Sequence, residues 1–441
     1  MSDYMFMLES HLSAEQSRVV AEVQTAAAAA NVNLFLAGGA IRDMLGGFPT
    51  RDLDFVVEGA AAKLAKAIAH AAGAEILLLD ENRRRAELRF PNGVRAQLAM
   101  ARQDKYARPG ARPQVTPATI YEDLRNRDFT INAIALSLNR ASRGLLLDPT
   151  NGLSDLERRE LRAVSNYGLY DDPIRLFRLM RFRTRFGFTI AERTASQFAN
   201  AREAGAAKHI PPQALLNELR SIAEEPNPAE LLRILDEEKL LALYSPALAG
   251  AKLNLAGLQK LARAKVLIPF GIPYPMDNLA LLLWLVGEKL SPKERAQLVA
   301  NTGLEKTELQ AWQRLEPRAR KLESVLTSAR VQKASQVWRV LSNAPGEDVV
   351  LLFIRSTQRL AQDRIRNYFQ KYLPASLEVT DRDVLAAGAA PGTPEWAKTR
   401  QELIATRLDS RPRKPVPALE EAPVIPAPAP PSHARARGNG R

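Results

Sequence analysis

The sequence predicts an α+β fold: a small mixed β-sheet with helices, followed by a long all-α region. Three observations point there. Short apolar runs alternate with helical stretches up to about residue 148. Helical periodicity then dominates residues 155–372, with breaks at Pro211-Pro212, Pro226, Pro246, Pro269 and Pro273. From Arg411 the chain is an irregular mix of Pro, Ala and Arg that cannot bury a core, so disorder is expected there. The expected division is a mixed unit over 1–150 that includes an N-terminal helical extension, a helical segment over 151–225, a second over 226–408, and a disordered tail over 409–441.

Each element has its own signal. Residues 14–30 are Ala-rich and amphipathic, hence a helix. Residues 33–37 form a short apolar strand, and 39–45 open a helix. A second strand is expected over 53–57 and a helix over 60–72. Residues 76–79, 86–90, 94–100 and 129–138 read as further strands.

The 441 residues suggest about three domains. With 46% hydrophobic and 25% charged residues, the composition is that of a soluble globular protein. No run of ~20 apolar residues exists and MSDYMFMLES lacks a basic-then-apolar start, so no membrane span or secretory signal is expected. There is no cysteine, which excludes disulfides, thiolate metal sites and cysteine nucleophiles and permits a cytoplasmic address. Four histidines argue against a histidine-rich metal site. Sixty-two basic against 49 acidic residues give a net charge of +13, as a polyanion partner would favour. A genome rich in Arg codons gives the same excess without such a partner.

Residues 36–55 read LAGGAIRDMLGGFPTRDLDF. Gly38 and Gly39 at a strand-to-helix junction allow close backbone approach to a phosphate, beside the free N–H groups of a helix start. Arg42, one turn in, can reach the same phosphates in a forked geometry. A tight turn alone explains such a Gly-Gly as readily. Asp52 and Asp54 add the chemistry. Alternate residues of a strand share a face, and two carboxylates side by side repel unless a cation lies between them. Hard oxygen ligands suit Mg²⁺. Two such ions would activate a hydroxyl and stabilise a leaving pyrophosphate. A solvated strand end is the plainer reading of Asp-x-Asp, and the preceding Gly-Gly-x-x-Arg-Asp tips the balance toward metal.

An ordered series of motifs continues along the chain: RQDKYARPGARPQV (102–115), IYEDLRNRDFTINAIAL (120–136), LDPTNGLSDL (147–156), DDPIRLFRLMRFRTRFGF (171–188) and LEVTDRDVLAAGAAPGTPEW (377–396). In this order they resemble the nucleotidyltransferase branch that holds bacterial tRNA nucleotidyltransferases (CCA-adding enzymes) and poly(A) polymerases. The resemblance implies a nucleotidyltransferase head over 1–150, a neck over 151–225 with a base-selecting helix, and an RNA-binding body and tail over 226–408. Residues 102–115 are similar to its flexible segment.

In the second motif, Arg127 can meet a phosphate, while Asp128 and Asn132 are short polar groups suited to ribose hydroxyls. The resemblance implies that nucleotide role. A strand entry capped by Asp128 is the structural alternative. In the helix expected over 171–185, Asp172 and Arg175 are three apart and share a face. They offer an acceptor beside a donor. Cytosine and adenine each present an amino donor beside a ring-nitrogen acceptor, whereas uracil and guanine present a carbonyl and a ring N–H. One Asp–Arg pair therefore suits C and A without a template. The family is understood to select bases this way, and Asp171, Asp172 and Arg175 occupy the matching positions. Arg178 and Arg181 continue the stripe toward bound phosphates or the RNA end, unless they form only a solvated basic face.

Three departures stand out. Gln97, in VRAQLAMAR (94–102), replaces a usual Glu that serves the family as a third active-site carboxylate. Its neutrality would leave activity reduced, lost or supported by a neighbour. Asn126 replaces the first Arg of an Arg-Arg-Asp, and Asp171 replaces a usual Glu. The expected function is template-independent, Mg²⁺-dependent addition of C and A from CTP and ATP to the tRNA 3′ end, with no membrane or protein partner inferred. Partial CC-adding or A-adding enzymes, a poly(A) polymerase, and a catalytically weakened RNA-binding relative stand as alternatives. The stretch LLLDENRRRAELRF before Gln97 lacks the Gly-Arg-Arg-Phe of the polymerases.

Overall fold

The computed structural model describes residues 3–50 and 52–410. Residues 409 and 410 close a helix; the rest of the expected disordered tail lies outside the described residues.

Helices α1 (Asp3–His11) and α2 (Ala14–Ala29) precede the sheet, and Ser13 and Gln16 form a capping box that starts α2. The strands are β1 (Asn33–Ala37), β2 (Leu53–Glu58), β3 (Glu75–Asp80), β4 (Arg85–Arg89), β5 (Arg95–Met100), β6 (Arg102–Lys105), β7 (Gln114–Pro117), β8 (Ala135–Ser137) and β9 (Leu146–Leu147). Seven of them form one sheet in the order β3-β4-β5-β2-β1-β8-β9, while β6 and β7 pair as a separate hairpin. Among the described residues only β2 and β5 run parallel within the large sheet. Helices α3 (Gly39–Gly46) and α4 (Ala61–Ala72) follow β1 and β2, and α5 (Ile120–Arg125) follows the hairpin.

Side chains alternate across the sheet. Leu34, Leu36, Leu53, Phe55 and Leu98 point to one face and pack against Val19, Val23, Leu64 and Ile68 of α2 and α4. Each fully buried Leu or Phe contributes about 1.5–3 kcal/mol. The opposite face carries Phe35, Ala37, Val56, Ala101, Ala133 and Ala135, closed by Ile120 and Leu124 of α5. Its alanines leave room at the edge where Asp54 emerges.

The helical region begins with α6 (Gly152–Glu157), α7 (Gly168–Asp171), α8 (Arg175–Phe186), α9 (Glu192–Glu203), α10 (Pro212–Ala223) and α11 (Pro228–Glu237). Further helices run from Leu255–Val266 to Pro394–Ser410 and share one apolar core, into which Phe129 and Ile131 reach.

Three expectations are corrected. Of residues 129–138, only Ala135–Ser137 is a strand; Thr130–Asn132 is a 3₁₀ turn. The Asp128 carboxylate winds the chain by accepting from the Phe129 N–H at 2.8 Å and the Asn132 amide at 3.0 Å. The helix expected over 171–185 is broken: α7 stops at Asp171 and α8 starts at Arg175, because Pro173 disfavours helical backbone at Asp172 (φ −117°, ψ 79°). The all-α region contains a short parallel pair, β10 (Glu160–Leu161) with β11 (Thr189–Ile190). As expected of the helical segment over 226–408, helices continue past residue 372, to Ser410.

Candidate active site

The Gly-Gly turn builds the first wall. Gly38 has φ +69°, a conformation that side chains rarely adopt, and a Cβ there would lie 2.7 Å from Arg127 Nη1. Helix α3 starts with no side-chain cap. Its first N–H groups, like those of any helix start, have no intrahelical acceptors. A Cβ on Gly39 would lie 3.6 Å from Arg42 Nη2 and 3.7 Å from Asp54 Oδ2. The turn thus leaves a cradle between an arginine and a carboxylate.

Arg42 backs this cradle from beneath. It is 4% exposed. Its Nε and Nη2 donate to Asp43 Oδ1 at 2.9 and 2.6 Å, and its Nη1 donates to Asn132 Oδ1 at 2.7 Å. Its forked donors are thus spent mainly on protein groups.

Asp54 lies within β2, whereas Asp52 stands exposed one residue before the strand, not inside it. Burial, then the neighbouring Asp52 charge, pushes the Asp54 carboxyl up to about 6, against the pull of Arg127 and Arg42. In the parallel β2–β5 ladder Asp54 faces Gln97, and Gln97 faces Glu87 in the antiparallel ladder with β4. A neutral amide therefore separates two carboxylate-bearing strands. Among the described residues no three His, Cys, Asp or Glu side chains gather as a metal-binding group.

The second motif sits opposite. Arg127 donates through Nε and Nη2 to Asp123 Oδ2, both at 3.1 Å, and through Nη1 to the Asn132 carbonyl at 3.2 Å. Asn132 joins Arg42 to Asp128 through the two ends of its amide. Burial alone would raise the Asp128 carboxyl. Arg178, Arg175, the Asn132 amide and the Phe129 N–H outweigh it and hold that carboxyl below the usual carboxylate range.

The Asp172–Arg175 pair forms despite the break in the helix. Arg175 Nε donates to Asp172 Oδ2 at 3.2 Å, while Nη1 and Nη2 donate to the carbonyls of Arg127 and Asn126 at 3.1 and 3.2 Å. The guanidinium is thereby fixed on the second motif, with one N–H on each terminal nitrogen left over. Only the backbone of Asn126 takes part in this anchoring. Burial, more than the adjacent Asp172, raises the Asp171 carboxyl. The Asp171 carbonyl accepts from the Gly110 N–H at 3.0 Å, at the tip of the β6–β7 hairpin.

Arg178 and Arg181 do not project freely from α8. Arg178 pairs with Asp128 at 3.4 Å and Glu218 at 3.9 Å. Arg181 is held by Glu218 at 2.7 Å and Glu225 at 3.4 Å, its side chain 11% exposed. Arg181 thus ties α8 to α10. The motif spacing could not show this, because the partner glutamates lie about forty residues downstream, in α10 and just past its C-cap.

Other residues also enter the site. A Cβ on Gly168 would lie 3.0 Å from Arg175 Nη1, so the glycine makes room for the Arg175 guanidinium. Tyr106, on the hairpin, is partly buried; burial and the Asp172 charge push its hydroxyl up to about 12. Burial likewise raises Asp104, against Arg102 at 3.2 Å. An aromatic within the flexible segment was the available sequence signal for Tyr106.

Residues 34–162 match the poly A polymerase head domain. The chain is 36% identical over 227 residues to an A-adding tRNA nucleotidyltransferase of Aquifex aeolicus, covering 52% of this chain and 27% of that protein. It is 38% identical over 208 residues to a CC-adding tRNA nucleotidyltransferase of Deinococcus radiodurans, covering 47% and 54%. It thus spans about half or less of the length of these curated relatives. The Thermotoga maritima CCA-adding enzyme, solved in complex with tRNA, shares the fold at a TM-score of 0.53 and 24% identity over 94% of this chain and 96% of that one. Residues 34–162 thus carry a poly A polymerase head domain, and the mixed-sheet head with its all-α arm is similar in fold to the CCA-adding enzymes.

Proposed function

We propose that the protein is a template-independent tRNA nucleotidyltransferase that adds C, A or both from CTP and ATP to the tRNA 3′ end, in the cytoplasm. The observation that carries this is the Arg175 guanidinium, anchored on the second motif beside Asp172 and opposite the Gly38–Gly39 cradle. An acceptor and a donor are held together where the base of a bound triphosphate would lie.

The residues present fit Mg²⁺. Asp52 and Asp54 are hard oxygen donors, Asp54 faces the cradle, and their mutual repulsion favours a bound cation. Asp52 and Asp54 would hold the ions, which when bound lower the pKa of the attacking hydroxyl and offset the charge on the departing pyrophosphate. The α3 N–H groups and Arg127 orient the triphosphate, and the buried Arg42 charge favours it from beneath. Asp128 and Asn132 place the ribose. The RNA 3′-oxygen forms a bond to the α-phosphorus as the bond to pyrophosphate breaks. Asp172 accepts from the amino group of C or A, and Arg175 donates to the ring nitrogen. Uracil and guanine would set a carbonyl against Asp172 and an N–H against Arg175.

Relatives named as A-adding, CC-adding and multifunctional all match, so the extent of addition is a matter for assay. A second reading, an RNA-binding protein that has lost catalysis, is motivated by Gln97 beside Asp54. Purified protein, Mg²⁺ and labelled CTP or ATP would be given tRNAs ending before CCA, after C and after CC. Incorporation on one or more of these ends is expected. No incorporation with tRNA binding intact would favour the second reading, and long A-tails on unrelated RNA would indicate a polymerase.

A further inference from the structure

Arg42 lies on the head but is buried in an interface made by the neck. Its guanidinium carbon stands 5.4 Å from the Phe182 ring centre and 4.7 Å from that of Phe186. Both rings belong to α8. Arg181 lies 4.8 Å from Phe182 and Arg185 lies 5.1 Å from Phe186, so cations flank both rings. The two rings stack at 5.8 Å with an interplanar angle of 22°. Asp43, also buried, takes Arg42 at 2.6 Å and Arg185 at 3.6 Å. One carboxylate of α3 thus holds an arginine of its own helix and one of α8.

This joint links two functional elements. Helix α3 begins at the Gly39 cradle, and α8 begins at Arg175. Sliding or rotating α8 against α3 would unseat Arg42 from the rings and Arg185 from Asp43. Desolvated cation–aromatic contacts are favourable, so the joint resists such motion. The third bond of Arg42, to Asn132, ties the same group to the second motif.

We propose that Arg42 is a positioning residue that locks α8 to the triphosphate cradle, so that a base at Asp172 and Arg175 is read in register with its phosphates. The inference rests on the proposed function for what is read, but not for the mechanical coupling. An arginine spent wholly on stability would lower activity on all nucleotides alike. A register-setting arginine affects discrimination instead.

The test uses the full chain with Arg42→Lys and, independently, Phe186→Leu. Lysine keeps the charge but loses the fork and the planar stacking. Relative kcat/KM for CTP and UTP is measured on tRNA lacking CCA, alongside amide hydrogen exchange across residues 175–186 with and without CTP. In the wild type, CTP should slow exchange in α8. In either variant that protection should be lost, and the CTP:UTP ratio should fall about tenfold or more, as expected for a displaced reading pair. A uniform loss of rate, with the ratio and the protection of α8 both unchanged, would overturn the proposal. If the wild type incorporates no nucleotide, the functional reading fails, while loss or retention of α8 protection still decides the coupling.

Discussion

Replacing Asp54 by Asn should make the metal-free protein more stable while removing its activity. In the folded chain the Asp54 carboxyl titrates near 6 rather than 3.8, chiefly because it is buried and then because Asp52 is close. Between these values the folded state holds the proton more tightly than the unfolded state, so stability falls as pH rises through that window. The full difference corresponds to about 3 kcal/mol above pH 7, or about 2–3 kcal/mol after allowance for solvent screening. Asparagine has nearly the same shape and no charge, so Asp54→Asn should recover that amount. The assay is urea unfolding in EDTA at pH 8 and pH 4. At pH 8 the variant should exceed the wild type by about 2–3 kcal/mol, and at pH 4 the gap should shrink to about 0.5 kcal/mol. Added Mg²⁺ should stabilise the wild type and leave the variant unchanged. A variant that is no more stable at pH 8, or a gap independent of pH, would refute the electrostatic account of this carboxylate.

Three further outcomes follow from the geometry. Gln97→Glu places a third carboxylate in register with Asp54; it should lower the half-saturating Mg²⁺ concentration for nucleotide transfer about tenfold, and an unchanged Mg²⁺ dependence would remove Gln97 as a cause of weak activity. Glu218→Ala removes the nearer partner of Arg181, whose side chain is 11% exposed, and leaves it Glu225 at 3.4 Å; a loss of about 1.5–3 kcal/mol is expected in chemical denaturation, and a change below about 0.5 kcal/mol would show the Glu218 contact to be dispensable. Gly110 has φ +65° and no space for a Cβ against the His209 carbonyl. Gly110→Ala should therefore release the hairpin from the neck and speed limited proteolysis within residues 102–115, whereas wild-type protection would show the hairpin tip to be held elsewhere.

Much of the local geometry of the candidate site was legible because its signals are local. The Gly38–Gly39 turn, the Asp52–Asp54 spacing and the strand-to-helix switch all fall within twenty residues, and backbone geometry dictates their meaning. Pro173 was legible too, yet the periodicity of residues 171–185 masked the break it causes. The residues around Asn132 were mistaken for strand because they are apolar, and Asp128 draws them into a turn. What could not be read were non-local partners. Nothing near Arg42 shows that Phe182 and Phe186 cover it from 140 residues away. Nothing near Arg181 announces Glu218 and Glu225. Both arginines looked like phosphate ligands by type and spacing, and their burial shows that a basic stripe on a helix can face a core. The fold class was clearer than the roles, since hydrophobic periodicity reports which face is buried but not against what.

The most direct test of the central claim is which nucleotides enter a tRNA that lacks its 3′ CCA when all four triphosphates are offered with Mg²⁺. Incorporation of C or A but not U or G, lost in Asp54→Asn and relaxed in Asp172→Ala, is the predicted result. Equal use of all four nucleotides, or incorporation undiminished in Asp54→Asn, would contradict it.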